Sequence, residues 1–377
     1  MRLLLLSQQL ARPLSGVGTY ARGLVEALVA RGHEVTLAVP AAQTGELRGV
    51  RVVPMAFSPG NLTPMAFPRM ARAFAAVLAA EAAHHDVVHF LDAREAVFGL
   101  VAGRQADVGS LHDAYALDWC APSYRRDLYG DRLLRSVYFA WLRWVERAAY
   151  HATRRFAANS AHVADAVARG YGLPRQRIEV IPLGLSPSEP VVPIPIAGEP
   201  AVLFVGGNYQ RKGLGVLLAA VRRLRARLPG IRLHVVGDDP GSERFRVLAR
   251  RLGIATAVDF HGWRPAAEVR AMIAGASVVA VPSLVEAFGL VYLEALEAGI
   301  PVVGTAAGGT AEFFRDGVEA LLVPPGDIPV LAAALERIAI DGALRHRLAA
   351  AGRAVARRSS IGEMAARTEA LYGRVRS

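Results

Sequence analysis

The sequence predicts an α/β protein of two domains, each built on a parallel sheet, with a cleft between them. Three observations carry this. Short apolar runs alternate with helix-like stretches, the pattern of βαβ units. The pattern starts twice, at Leu3 and at Ala201. A proline-rich stretch, LGLSPSEPVVPIPIAGEP at 183–200, separates the two starts. Leu3–Leu6 is apolar without interruption, as a strand covered on both faces must be. A loop with Gly16 and Gly18 follows, then Tyr20–Ala30 with Leu24 and Leu28 at helical spacing, ended by Gly32. Val35–Val39 is the next strand. The second half repeats this: strand Ala201–Val205, loop Gly206–Gly213, helix Leu214–Leu228, strand Ile231–Val236. Prolines oppose helix and central strand, so 183–200 reads as an extended linker. The expected domains are 1–182 and 201–355. Residues 356–377 hold a last helix, Ile361–Arg374, that crosses back to the first domain.

Of 377 residues, 53% are hydrophobic and 20% charged, which excludes disorder. Cys120 is the single cysteine, so neither an intrachain disulfide nor a cysteine zinc site forms. No apolar run approaches the ~18 residues of a membrane span. The opening MRLLLLSQQLARP has too short an apolar core for a signal peptide. A cytoplasmic protein is expected. The net charge of +11 calls for an anionic partner: nucleic acid, anionic lipid or a phosphorylated ligand. A GC-rich genome's preference for Arg codons contributes to the same number.

The densest chemical signal is PSLVEAFGLVYLEALEAGIPVVGTAAGG, 282–309. A strand, Ser277–Val281, runs into a turn, and a helix starts near Phe288–Gly289. Free amides at a helix start bind anions. Glu286 precedes that start and Glu294 lies about two turns in. Two carboxylates beside a phosphate repel it unless they face hydroxyls, and a nucleotide sugar has hydroxyls on both sides of its diphosphate. Read singly, Glu286 is a helix cap and Glu294 a solvated residue. NYQRKGLGVLL, 208–218, adds the positive charge. Of the 44 Lys and Arg residues, only Lys212 is lysine. Its loop leaves the first strand of the second domain at the end where open α/β sheets bind ligands. Arg211 offers a planar fork and Lys212 a compact ammonium. A lysine kept among arginines points to a steric demand, against chance survival on a surface loop.

FVGGNYQRKGL followed by EAFGLVYLEALEAGIPVV resembles the large family of retaining GT-B glycosyltransferases, family 4. SGVGTYARGLVEAL, LHDAY, FAANSAHVADAV, IEVIPLGL, VDFHGW and LLVPPGD match in order along nearly the whole chain. The RKG and EAFGLVYLEA segments are most similar to the branch that adds glucose to the lipopolysaccharide core. The resemblance implies a GT-B fold of two Rossmann-like domains and a nucleotide diphosphate sugar as donor, UDP-glucose by this branch. It implies a hydroxyl-bearing acceptor, such as a cell-envelope glycan, a lipid-linked sugar or a small metabolite. Transfer retains configuration, without a metal and without pyridoxal phosphate. Arg211 and Lys212 would hold the diphosphate with the amides of Phe288, Gly289 and Leu290. Gly16 would let the first loop approach it. Glu294 would take the ribose diol, Glu286 the transferred sugar, and His112 would lie near the reacting sugar. His261, Gly262, Trp263 and Arg264 would touch the base. Many members carry Arg after the first glycine of the phosphate loop. Gly207 stands there, which leaves the work to Arg211.

His112–Asp113 follows Gly109–Leu111 at a strand end, where a histidine can donate to a sugar hydroxyl. His84, His85 and His89 lack metal spacing. Gly16–Ala21 fits GxGxxA, but the strand lies too far back and no acidic residue ends the next strand, against a nicotinamide cofactor. Asp238–Asp239 is the only tandem pair for a divalent ion, and Pro240–Gly241 makes it read as a turn. A phosphorylase-like enzyme or a sugar-nucleotide-binding protein without turnover is the alternative.

Residues 1–182 carry 21 Arg and 15 acidic residues, and 125–155 alone carry 8 and 3. On a helical wheel Arg132, Arg135, Arg143, Arg147 and Arg154 share a face with Phe139 and Tyr150. Leu134, Tyr138, Trp141, Val145, Ala148 and Ala152 form the expected core face. The basic face reads as solvated or as docked on an anionic membrane. No recognition motif accompanies it, so nucleic acid is not expected.

Overall fold

The computed structural model describes residues 1–10, 16–43, 47–58, 62–114, 117, 132–187 and 190–376, with 132–135 in backbone only. The described residues within 1–120, 129–186 and 361–377 form one compact unit, and those within 187–360 a second.

The first unit is a seven-stranded parallel sheet in the order β3-β2-β1-β4-β5-β6-β7. Its strands are β1 Arg2–Leu6, β2 Glu34–Pro40, β3 Val50–Met55, β4 Val87–Phe90, β5 Ala106–Leu111, β6 Thr153–Ala158 and β7 Ile178–Val180. Leu3 pairs with Val35 on one side and Val87 on the other, and Leu3–Leu6 are fully buried. A central strand with both faces covered needs no polar alternation, which is why this run is all leucine. The last helix, Ile361–Arg376, belongs to this unit. It buries Met364, Ala365, Leu371, Tyr372 and Val375, and the Tyr372 hydroxyl lies 2.7 Å from His89 Nδ1. Arg31 Nε donates to Glu369 at 2.7 Å, and Arg374 pairs with Glu179.

The second unit is a six-stranded parallel sheet, β10-β9-β8-β11-β12-β13. Its strands are β8 Ala201–Val205, β9 Arg232–Val236, β10 Val258–Gly262, β11 Val278–Val281, β12 Val302–Thr305 and β13 Leu321–Val323. Val202, Leu233, Val278 and Val303 join Leu217, Leu218, Val221 and Leu335 in its core. In both sheets the strand order reverses beside the first strand: between β1 and β4, and between β8 and β11. Ligands of open α/β sheets bind outside the carboxyl ends at such a reversal.

Several expectations are corrected. The helix expected over Leu214–Leu228 ends at Leu224, and a turn in which Arg227 N and Leu228 N both donate to Leu224 O, at 2.9 and 2.8 Å, carries the chain to Pro229. The helix carrying the basic face is Arg132–His151, so Arg154 lies in β6 instead and pairs with Asp107 at 3.4 Å. Phe139 and Tyr150 are 5% and 2% exposed: they belong to the core with Leu142, Val145 and Ala149. Trp141 and Ala148, expected in the core, are only partly buried. Arg143 and Arg147 are exposed. Cys120 and residues 121–131 lie outside the described residues, as do the side chains of Arg132, Leu134 and Arg135. From residue 190 onward the proline-rich stretch packs on the second unit rather than spanning free. Ile194 N donates to Ala271 O at 3.0 Å, and Glu199 N to Gly230 O at 2.9 Å.

Candidate functional site

The second unit brings its two motifs together at the strand reversal. The loop after β8 carries Arg211 and Lys212, and the loop after β11 carries Ser283 and Glu286. Leu284 N donates to Arg211 O at 2.8 Å, so the loops are joined through backbone. Gly213 permits this approach: its φ is +74°, and a Cβ there would meet Pro282 O at 1.9 Å. Asn208, left-handed at φ 49°, accepts from Arg211 N at 3.2 Å and shapes the basic turn. Asp239 steadies the same loop from β9, accepting from Tyr209 N at 2.8 Å and Gly241 N at 2.6 Å. That work explains the tandem Asp238–Asp239 as turn chemistry. Among the described residues no three His, Cys, Asp or Glu are arranged to hold a metal ion.

Lys212 Nζ donates to Glu286 Oε2 at 2.6 Å, with the two side chains 14% and 6% exposed. Ser283 Oγ donates to the same oxygen at 2.9 Å. Burial pushes the Glu286 carboxyl up. The charges of Lys212 and Arg211 and these hydrogen bonds outweigh it and hold the group below its ordinary value. The lysine stem runs past Gly206, where a Cβ would lie 3.6 Å from Lys212 Cγ. Gly289 caps the helix Leu290–Glu297 at φ 96°. The amides of Phe288, Gly289 and Leu290 stand at the helix start, where no intrahelical carbonyl serves them. Phe288 is fixed by its ring contact with Phe313, at 4.5 Å. Glu294 lies on this helix, partly buried, and no hydrogen bond occupies its carboxylate among the described residues. Burial raises its carboxyl to about 7, with Arg270 opposing and Glu297 adding.

In the first unit His112 follows β5. Its Nε2–H donates to Leu91 O at 2.6 Å, and Asn159 Nδ2 donates to His112 O at 2.8 Å. Burial lowers its pKa against the pull of Asp92, so the ring is neutral near pH 7. With the proton fixed on Nε2, Nδ1 is left as an acceptor. The sequence suggested a donor; the carbonyl of Leu91 takes that proton instead. The ring stands edge-on to Tyr20 at 4.7 Å, and the Tyr20 hydroxyl is 2.7 Å from Ser110 Oγ, itself 2.8 Å from His89 Nε2. Arg94 chelates Asp92 and approaches Asp113 to 3.9 Å, which gives the end of β4 a charged brace.

Residues 14–189 match the family described as Glycosyltransferase Family 4, and residues 192–355 the one described as Glycosyl transferases group 1. A D-inositol 3-phosphate glycosyltransferase of Actinosynnema mirum is 32% identical over 395 residues, 96% of this chain and 92% of that protein. The chain belongs to the family 4, group 1 glycosyltransferases. The lipopolysaccharide core biosynthesis glycosyltransferase LpsE of Rhizobium meliloti is 38% identical over 156 residues, 41% of this chain. The chain spans about half the length of the first curated relatives: 44% of LpsE and 53% of a Segniliparus rotundus D-inositol 3-phosphate glycosyltransferase. Among solved structures, WaaG, a lipopolysaccharide glycosyltransferase, superposes with a TM-score of 0.73 at 22% identity, covering 97% of this chain and 98% of its own. Sucrose-phosphate synthase of Thermosynechococcus elongatus gives 0.81 at 24% identity, covering 99% and 98%. These likenesses establish the GT-B fold of two Rossmann-like units.

The remaining expected site residues are placed differently from one another. Gly16 opens the helix Gly16–Ala30, and a Cβ there would meet nothing within 4 Å among the described residues. His261, at the end of edge strand β10, is turned along the sheet: its ring stacks on His234, with Nε2 3.0 Å from His234 Nδ1. His234 Nε2–H donates to Ala197 O at 2.7 Å. His261 and Arg264 line a cavity of about 700 Å³ with Arg232, Asp259 and Glu268, and Arg264 pairs with Glu268 at 3.1 Å. Gly262 takes φ +67° and turns the chain toward Trp263, which is partly buried. Reading the sequence missed Ser283 and Arg270, which act on the two glutamates. Ser283 stood inside the quoted motif; nothing in the pattern singled out Arg270.

Proposed function

We propose that the chain transfers a sugar from a nucleotide diphosphate sugar to a hydroxyl acceptor with retention of configuration. The observation that supports this best is the Arg211–Lys212 loop docked on the Ser283–Glu286 loop at the β8/β11 reversal. Two cations and a helix start there suit a diphosphate, and two carboxylates suit the hydroxyls on either side of it. UDP-glucose is the preferred donor: the HepE structures from Anabaena, alike in fold, contain UDP, glucose or UDP-glucose. In the reaction the bond from the sugar's anomeric carbon to the phosphate oxygen breaks. The acceptor oxygen bonds to the same face, and its proton passes to the departing phosphate. No side chain is needed as nucleophile. His112 Nδ1 accepts from a hydroxyl of the reacting sugar. Incubation with UDP-glucose and its GDP and ADP counterparts, with the product's anomeric proton coupling read by NMR, tests this. Retention supports the reading, and inversion refutes it.

Phosphate charge is met by Arg211, Lys212 and amides, so we expect turnover to survive excess chelator. A strict requirement for added Mg²⁺ or Mn²⁺ would contradict this and bring Asp238 and Asp239 back as ligands.

We also propose that the first unit docks on an anionic membrane surface. No described helix is long and apolar enough to cross a membrane. The outer face of helix Arg132–His151 carries Val137 and Trp144, 60% and 59% exposed, beside exposed Arg143 and Arg147. The adjoining helix Val97–Val101 exposes Leu100 and Val101. Apolar side chains ringed by arginine suit a headgroup boundary. Reversing Arg143 and Arg147 to Glu should weaken sedimentation with phosphatidylserine vesicles, at about 1 kcal/mol for each charge removed. Nucleotide binding should be unchanged. Wild-type protein that ignores such vesicles at low salt would leave this face merely solvated.

A further inference from the structure

We propose that, before the donor binds, Glu286 holds the place that the donor's diphosphate takes on Lys212. Its carboxylate sits on the Lys212 ammonium as a phosphate oxygen would, and the arriving diphosphate displaces it. The displaced carboxylate is then the group that accepts the sugar's hydroxyl. The inference rests on the donor reading above and adds an order of events: the diphosphate builds the sugar site.

The ion pair is short and largely enclosed, at 2.6 Å with the side chains 14% and 6% exposed. The hydrogen bonds from Lys212 and Ser283 both fall on Oε2 of the carboxylate. Oε1 has no hydrogen-bond partner among the described residues. The backbone of Glu286 is independently held, its carbonyl accepting from Gly309 N at 3.0 Å. The side chain can therefore swing without moving the loop. A carboxylate and a diphosphate on one ammonium repel each other strongly at these distances and this burial. One of them must yield, and the diphosphate carries more charge and can also draw on Arg211 and the amides before Leu290. A sugar presented without a diphosphate finds Glu286 still engaged.

The test is calorimetry with inorganic pyrophosphate and with UDP, GDP and ADP on the full chain. Pyrophosphate has no base, so its result does not depend on which nucleotide is native. Glu286→Gln keeps the shape and removes the charge. We expect it to bind pyrophosphate about tenfold more tightly than wild type, while transfer from the sugar nucleotide falls. Ser283→Ala loosens the carboxylate without removing its charge and should shift affinity the same way by a smaller factor. The gain from Glu286→Gln should vanish in a Lys212→Met background, because there is no ammonium left to compete for. Equal or weaker pyrophosphate binding by Glu286→Gln overturns the exchange, and so does a gain that persists without Lys212. If neither pyrophosphate nor any of the nucleotides binds wild type or variant, the donor reading itself fails and takes this inference with it. Binding to wild type that Glu286→Gln leaves unchanged sinks the exchange alone.

Discussion

Lys212→Arg should weaken nucleoside diphosphate binding by about tenfold or more, although charge is conserved. The ammonium reaches Glu286 Oε2 at 2.6 Å along a stem that runs past Gly206, where a Cβ would lie 3.6 Å from Lys212 Cγ. Arginine adds length and a planar head with five donors. In an enclosure 14% open at the lysine, that head leaves donors unpaired or pushes the docked loops apart. Calorimetry with UDP, GDP and ADP on the folded variant measures the loss. Wild-type affinity and turnover in Lys212→Arg would refute the steric account of why this chain keeps one lysine.

Binding should also weaken as pH falls through 7, through Glu294. Burial lifts this carboxyl to about 7, so before a ligand binds the group holds a proton below that pH. Accepting the two hydroxyls of a ribose requires the carboxylate. Each pH unit below 7 should therefore cost affinity, with a limit of about tenfold per unit. The ligand's own phosphate ionisation adds to the raw profile, so the comparison is with Glu294→Gln. That variant should bind about tenfold more weakly at pH 8 and lose the Glu294 part of the slope. Stability carries the opposite sign. The native pKa lies above the ordinary 4.5, so between 4.5 and 7 the folded chain keeps a proton that the unfolded chain has released. Ionising Glu294 subtracts stability as pH rises through that window, and the full cost is present above it. Melting temperatures of Glu294→Gln should gain on wild type from pH 5 to pH 8. Parallel binding profiles of the two proteins would remove Glu294 from the ribose.

Much of the frame was legible because it rests on local pattern. A leucine run with no polar alternation can only be a covered strand, and Leu3–Leu6 is one. Helix Leu214–Leu224 shows the limit of periodicity: apolar spacing continued to Leu228, but the chain tightens into a turn on Leu224 O after the helix ends. Helix Arg132–His151 shows another. Aromatic residues occur all round it, so the wheel did not say which of them faced the sheet, and Phe139 and Tyr150 proved to be inside. At the candidate site, the residue types and their loops were legible, and the pairings were not. Lys212 and Glu286 lie 74 residues apart and meet only because β8 and β11 are neighbours. The same holds for His112, whose free nitrogen is decided by the carbonyl of Leu91, 21 residues back.

The measurement that bears most directly on the account is calorimetric titration of wild type and Lys212→Met with UDP, GDP and ADP. Binding of at least one nucleotide at one per chain, lost or weakened more than about tenfold in Lys212→Met, is the predicted result. A wild-type chain that binds none of the three, or a Lys212→Met variant that binds as well as wild type, would contradict it.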